Sequence, residues 1–288
     1  MDKKILKAPF PEKIRFGEKI KTKFYSSKNN IKITTIDYPT GDYKKRCYDM
    51  VSSTWDDTVR KNKKVSDKTL LETFHEILTF KALPNSLEHL NFLFLIEGLT
   101  HIEISHILRH RLFNSIHAQC SGDRFLTNDS VFIPSSIDNS KFSKKYKALS
   151  TKSKELYQEM VDSKEISLMD ARYILTRNTR HFYYIGMNLK EAISFINQRK
   201  CTMVQPELDN ILAINIYKEI IKAIPEVKEA ISLDCSKSCH YINSSPKRNT
   251  RLYNLDSTHK KIISKESKIF NSVYSKERKD LGINYGKK

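Results

Sequence analysis

The sequence predicts an α+β domain, and three observations carry that expectation. Short β-branched and aromatic runs at 31–38 and 87–94 are interspersed with longer stretches of helical spacing. No internal repeat divides the chain. With seven Gly in 288 residues there is no G-x-G-x-x-G or Walker loop, which excludes a phosphate cradle built from glycines. At 39% hydrophobic residues the chain carries enough apolar side chains for a packed core.

Taken in order, residues 1–30 alternate Lys with single apolar residues, contain Pro9 and Pro11, and read as a loosely packed arm. Residues 31–38 (Ile-Lys-Ile-Thr-Thr-Ile-Asp-Tyr) read as a strand, closed by the turn Pro39-Thr40-Gly41-Asp42. Helices follow at 43–51 and 68–80, the second with Leu70, Leu71, Phe74, Ile77 and Leu78 at helical spacing. Pro84-Asn85-Ser86 breaks this helix ahead of a strand at 87–94. The run 97–111, with Leu99, Ile102, Ile104, Ile107 and Leu108, reads as a helix with one buried face. Residues 140–163 form a polar helix, and 168–175 begin another. Asn188 is an N-cap for 189–198, whose Ala192, Ile193, Phe195 and Ile196 make an apolar stripe. Pro206 sits at the first turn of a helix over 207–224. After Pro225 the pattern decays.

The net charge of +18 is unevenly placed. Residues 1–66 carry 17 Lys and Arg against 8 Asp and Glu, residues 235–288 carry 13 against 4, and the centre is neutral. A neutral centre with basic ends describes a packed domain with solvated extensions and argues against a groove that tracks phosphates. Nucleic acid is therefore expected to make at most weak contact with the flanks. The start of the chain is charged and lacks an apolar signal core. The most apolar run, 90–108, is interrupted by Asn91, Glu97, His101, Glu103 and His106, so no membrane span is expected. Five cysteines do not suggest a disulfide framework. Cys235, Cys239 and His240 fall short of the four ligands of a closed zinc site, and His259 is the nearest spare. The expectation is a soluble cytoplasmic protein without a metal.

The chemistry rests on arginines. Arg109-His110-Arg111 ends an apolar run, where cations either complement the helix dipole or meet an anion. Arg124, Arg172 and Arg199 also sit beside apolar segments in the neutral centre. Arg suits bidentate recognition of phosphate or carboxylate, so the pattern favours an anionic ligand, a nucleotide in particular. Cys120 and Cys201 near these arginines, with His117 close to Cys120, do not identify a nucleophile; small buried cysteines account for them. His89 fits either a core histidine or a ring-stacking contact.

At these residues the sequence resembles the flavin-dependent thymidylate synthases. Arg109-His110-Arg111 matches their Arg-His-Arg signature, and Ser121-Gly122-Asp123-Arg124-Phe125 is similar to its later Ser-Gly-Arg-Tyr. Glu88-His89 before Phe92-Leu93-Phe94, Phe132-Ile133-Pro134-Ser135 and Gln205-Pro206-Glu207 are similar to further family segments. Ala171-Arg172, Asn188 and Arg199 keep the family's intervals of 16 and 11 residues. The likeness runs from about Ile31 to Val227.

The resemblance implies an α+β fold with a mixed sheet and packed helices, assembled as a homotetramer with FAD between subunits. Three segments follow from it: a basic arm at 1–30, a catalytic domain at 31–230 and a basic extension at 231–288. It implies reductive methylation of dUMP to dTMP, with methylenetetrahydrofolate as carbon donor and NADPH as reductant. Arg199 would polarise the uracil as the catalytic cation. His106, Arg109, Gln119, Ser121, Arg124, Arg172 and Arg199 would bind dUMP. His89, Asn91, Arg109, His110, Arg111, Gln119, Asn188, Lys190 and Ser194 would bind FAD. No enzyme nucleophile is implied.

The chain departs from the family at defined points. After Arg111 and seven intervening residues comes Gln119 rather than Ser, and Asp123 is inserted before Arg124. His106 replaces a usual Gln, Lys190 a usual Arg, and Ser194 a usual Asn. The remodelled loop leaves a second reading, a different modification of C5 of a pyrimidine nucleotide such as hydroxymethylation. A third, from the basic flanks, is a non-catalytic nucleic-acid-binding protein, whose affinity would fall steeply with salt.

Overall fold

The computed structural model describes residues 22–26, 31–56, 64–110, 113–118, 130–201, 205–231 and 233. The chain divides into two units, one of residues 1–43 and 88–191 and one of 44–87 and 192–288.

The first unit is built on a four-stranded antiparallel sheet. Its strands are β2 (Lys32–Asp37), β3 (Asn91–Leu99), β4 (Phe113–Ala118) and β6 (His181–Asn188), in the order β2-β3-β6-β4. A second, two-stranded sheet pairs β1 (Lys23–Tyr25) with β5 (Ser130–Phe132) in parallel. Both pairing modes therefore occur, each in its own sheet. On β3, Phe92, Phe94 and Ile96 are buried, while Leu93, Leu95 and Glu97 on the other face are half-buried; this is the period-two pattern of a strand with one face on the core. Gly98 interrupts the ladder with φ of 101°, where the register shifts between Glu97 and Leu99. A side chain there would clash, and glycine relieves it.

Helices of this unit are α3 (His101–Ile107), α4 (Ser135–Asp138), α5 (Ser143–Ser163) and α6 (Leu168–Ala171). Tyr157, Val161 and Ala171 form a small core, with Met160, Leu168, Ile174 and Leu175 packed against it. The inner face of α5 is otherwise polar: Ser150, Ser153, Lys154 and Gln158 are all buried. Gln158 Nε2 donates to Asp162 of the same helix (2.8 Å), and the partners of Ser150 and Ser153 lie in the segment that follows α6. Ser153 Oγ donates to the Ile174 carbonyl (2.5 Å), and Asn178 Nδ2 donates to Ser150 Oγ (3.1 Å) and to the Tyr146 hydroxyl (2.5 Å). The Tyr146 hydroxyl in turn donates to the Phe132 carbonyl of β5 (3.0 Å). Bonds of this kind offset the burial of the Ser150 and Ser153 hydroxyls.

The second unit contains α1 (Tyr43–Ser53, its first residue in the other unit), α2 (Asp67–Leu78), α8 (Glu207–Ala223) and α9 (Val227–Ala230). The chain enters it through α7 (Leu189–Arg199). Ser66 caps α2 by accepting the Thr69 N–H (3.1 Å), and Leu70, Phe74, Ile77 and Leu78 form its buried stripe. A hydrogen bond joins His75 Nδ1 of α2 to the Glu229 carboxylate of α9, and Lys44 of α1 forms an ion pair with Glu226 (2.5 Å). Leu208, Leu212, Ala213, Ile216 and Ile220 bury one side of α8.

Several element readings change. The run 97–111 is not one helix. Strand β3 continues to Leu99, and α3 starts only at His101, because Thr100 accepts the Ile102 N–H (3.2 Å) while Glu103 reaches back to the Thr100 N–H (3.0 Å). Residues 87–89 belong to a 3-10 turn, Pro84–His89, and the strand begins at Asn91. The helix expected at 168–175 stops after one turn and continues as a 3-10 turn, Arg172–Ile174. Strand β6, which holds the sheet together between β3 and β4, has no counterpart in the sequence reading. Within the expected arm, Lys23–Tyr25 is a strand, and Tyr25 lies under the Arg180 guanidinium at 4.0 Å. No helix among the described residues is long and apolar enough to cross a membrane.

Candidate functional site

One end of the β3–β6 pair gathers five of the expected flavin-binding residues. Asn91 at the start of β3 is in register with Asn188 at the end of β6, and the Leu189 N–H donates to the Leu90 carbonyl (2.8 Å). Asn188 is buried and caps α7, its Oδ1 accepting the Glu191 N–H (2.9 Å). Asn91 Nδ2 donates to the carbonyl of His89 (3.3 Å), a half-buried residue ending the 3-10 turn. Lys190 Nζ donates to Glu88 Oε1 (2.6 Å). His110 completes the group: its Nδ1 lies 2.6 Å from Glu191 Oε1, with the two side chains only 3% and 9% exposed.

His110 sits one turn beyond α3, its N–H bonded to the Ile107 carbonyl (2.9 Å). The neighbouring Arg109 is exposed, His106 in the last turn of α3 is half-buried, and Arg172 at the head of its 3-10 turn is half-buried. Neither the Arg109 nor the Arg172 guanidinium has a hydrogen bond or ion pair among the described residues. Guanidinium groups of this kind can bind an anion in bidentate fashion.

The remaining described site residues lie in the second unit. Arg199, the last residue of α7, is buried, and its guanidinium donates to Gln205 Oε1 (2.7 Å). Asn210 of α8 donates through Nδ2 to the carbonyls of both Arg199 (2.7 Å) and Cys201 (2.9 Å). One amide thus ties down the end of α7 and the backbone beyond it. Ser194 is half-buried, its Oγ accepting from Gln198 Nε2 (3.4 Å). Cys47 and Cys201 are free and buried, and burial pushes the Cys47 thiol up to about 11, which leaves it protonated and inert.

Arg111, Gln119, Ser121 and Arg124 lie outside the described residues, as do Cys120, Asp123, Cys235, Cys239, His240 and His259.

A sequence model of the family described as thymidylate synthase complementing protein matches residues 36–226. The chain belongs to that family. The match spans the Arg-His-Arg segment, Asn188 and Arg199, the residues on which the resemblance to flavin-dependent thymidylate synthases rests. Within the family, a flavin-dependent thymidylate synthase of Pyrococcus abyssi is 26% identical over 199 residues, covering 67% of this chain and 80% of the relative. Two solved structures share the fold. A UMP/dUMP methylase, PolB, from Streptomyces cacaoi, bound with 5-Br dUMP, superposes with a TM-score of 0.58 at 17% identity, covering 72% of this chain and 95% of that one. Thymidylate synthase X from Helicobacter pylori, with FAD and dUMP, gives 0.50 at 15% identity, covering 65% and 92%. The α+β architecture is therefore that of the thymidylate synthase complementing proteins.

Glu191 and Asn210 are polar residues of these clusters that the sequence reading does not single out. Glu191 stands three residues after the cap Asn188, the position of a capping-box carboxylate, so sequence pattern alone assigns it to its own helix end. Its bond to His110, 81 positions away, is a product of the fold.

Proposed function

We propose that this chain catalyses the FAD-dependent reductive methylation of dUMP to dTMP, with methylenetetrahydrofolate as carbon donor and NADPH as reductant. The observation that carries this reading is the family match over residues 36–226, which runs through every described site residue. The name of the Pyrococcus relative and the FAD and dUMP held by the Helicobacter structure support it. The domain is taken as 31–230 and the working form as a homotetramer in the cytoplasm.

The donor set fits the cofactor. FAD carries a pyrophosphate, and without a glycine loop it must be held by side chains; His110, Asn188, Lys190, His89 and Asn91 gather imidazole, amide and ammonium groups at one sheet end. Arg111 and Gln119, and Ser194 in the second unit, complete the set that the resemblance assigns. Once reduced by NADPH, the bound flavin would supply the hydride that reduces the transferred carbon. Lys190 differs from the usual Arg in lacking a planar fork, and its bond to Glu88 leaves it a single directed charge. Arg109 and Arg172, joined by His106, Ser121 and Arg124, hold the nucleotide, with the guanidinium groups on its phosphate. Arg199 sits in a buried setting where a cation acts strongly on a carbonyl or a developing oxyanion. Gln205 aims it, and Asn210 fixes its backbone.

A second reading keeps the fold and alters the C5 chemistry or the nucleotide. It is favoured by the PolB likeness and by Gln119 and the inserted Asp123. One assay separates the two. Protein incubated with FAD, NADPH, methylenetetrahydrofolate and either dUMP or UMP is analysed for product mass. dTMP from dUMP is the expected product; a hydroxymethyl product, or turnover of UMP alone, establishes the second reading. Arg199→Ala is expected to abolish turnover while FAD stays bound, and loss of the flavin with the activity would refute the role given to Arg199.

A further inference from the structure

The mechanism above needs the Arg-His-Arg segment held in place, yet its central His110 lies beyond the end of a helix of only seven residues. We propose that Glu191 is the positioning residue for His110, fixing its ring orientation and tautomer from the first turn of α7. The proposal rests on the FAD reading and adds to it a residue that the family signature does not include.

The argument is geometric. Nδ1 of His110 lies 2.6 Å from Glu191 Oε1. A carboxylate only accepts, so Nδ1 must carry the proton, and any ligand contact of this imidazole is made through Nε2. Both side chains are buried, and in a low-dielectric setting a charge-assisted bond is short, directional and costly to break. Glu191 is itself rigidly placed. Its N–H is bonded to the Asn188 side chain, Asn188 is locked in the ladder opposite Asn91, and the next residue bonds back to Leu90. A continuous chain of bonds therefore runs from the centre of the antiparallel sheet to the imidazole. The same chain explains why an acidic residue occupies the core end of a proposed pyrophosphate site, where a carboxylate facing the ligand would repel it: the carboxylate faces His110.

The test uses FAD affinity and ring chemistry together. FAD binding to the full chain is titrated by quenching of flavin fluorescence in wild type, Glu191→Gln, His110→Gln and the double variant. Thermal unfolding of each preparation confirms that it is folded. The histidine tautomer is read by nitrogen-15 NMR of ring-labelled protein. Wild-type His110 is expected to carry its proton on Nδ1. Glu191→Gln, which keeps the shape but weakens the bond, is expected to lower FAD affinity by about tenfold. In the His110→Gln background it is expected to have no further effect, because it acts through that ring. Additive losses in the double variant, or a wild-type His110 that carries its proton on Nε2, would overturn the proposal. Should wild type itself fail to bind FAD, the flavin reading falls with the proposed ligand role of the pair, while the tautomer still reports whether Glu191 sets the ring.

Discussion

Lowering the pH should destabilise this fold through one buried histidine. His181, the first residue of β6, is 3% exposed, and its ring lies 4.8 Å from that of His101 and edge-on to Tyr183. Burial, then the charges of His101 and Lys154, push its imidazole down from the ordinary 6.5 to about 4. Its Nδ1 has no hydrogen-bond partner among the described residues, so nothing offsets the cost of a proton. Folding thus lowers proton affinity. Above pH 6.5 both states are neutral and the full stability is present. As pH falls from 6.5 towards 4, the unfolded chain protonates first and stability drains away. At pH 5 the linkage amounts to roughly 2 kcal/mol. His181→Phe keeps a ring against His101 and Tyr183 but removes the titration. Urea unfolding of wild type and variant at pH 7.5 and pH 5.0 measures the difference directly. The wild type should lose about 2 kcal/mol more than His181→Phe between the two pH values. Parallel losses in the two proteins would refute the reasoning, since the destabilisation would then come from other groups.

Two further expectations follow from backbone accounting. Asn210→Ala removes one amide that serves the carbonyl ending α7 and a second beyond it. The Cys201 carbonyl keeps the Gln205 N–H (3.2 Å), so the expected cost is about 1–2 kcal/mol, seen as a lower thermal midpoint, together with reduced turnover because Arg199 loses its anchor. A midpoint within a degree of wild type would show that the clamp does not operate in solution. Gly98→Ala forces a Cβ into a positive-φ bulge at 101° and should cost about 1–3 kcal/mol in chemical denaturation. A neutral outcome there would mean that the bulge relaxes to accept a side chain.

Much of the helical framework was legible because its signals are local. Ser140 to Ser163 contains α5, Asn188 does cap α7, and Pro206 does open α8. The errors were of two kinds. At 97–111 the apolar spacing suggests one helix, although Thr100-His101-Ile102-Glu103 spells a capping box and Gly98 a break. At 181–188 a strand was not read at all: it turns from alternation at His181–Tyr184 to continuous burial at Ile185–Asn188, so it fits neither the period of a half-buried strand nor that of a helix. The polar character of α5 is legible and its burial is not, because a stripe of Ser, Lys and Gln reads as solvated, and the Ser153–Ile174 and Asn178–Ser150 bonds join residues 21 and 28 positions apart.

The sequence by itself determined the family and marked the candidate residues for its chemistry. Ordered motifs such as Arg109-His110-Arg111, Asn188 and Arg199 are covalent spacings, preserved whatever the chain folds against. Only the tertiary structure decided how those residues are held. Glu191 meets His110 because the β3–β6 register brings Asn188 opposite Asn91 and delivers the first turn of α7 to the end of the α3 segment. Asn210 meets Arg199 because α8 folds back on the end of α7. Such partnerships depend on burial and on contacts between residues distant in sequence, and no local pattern along the chain encodes which carboxylate will face which imidazole.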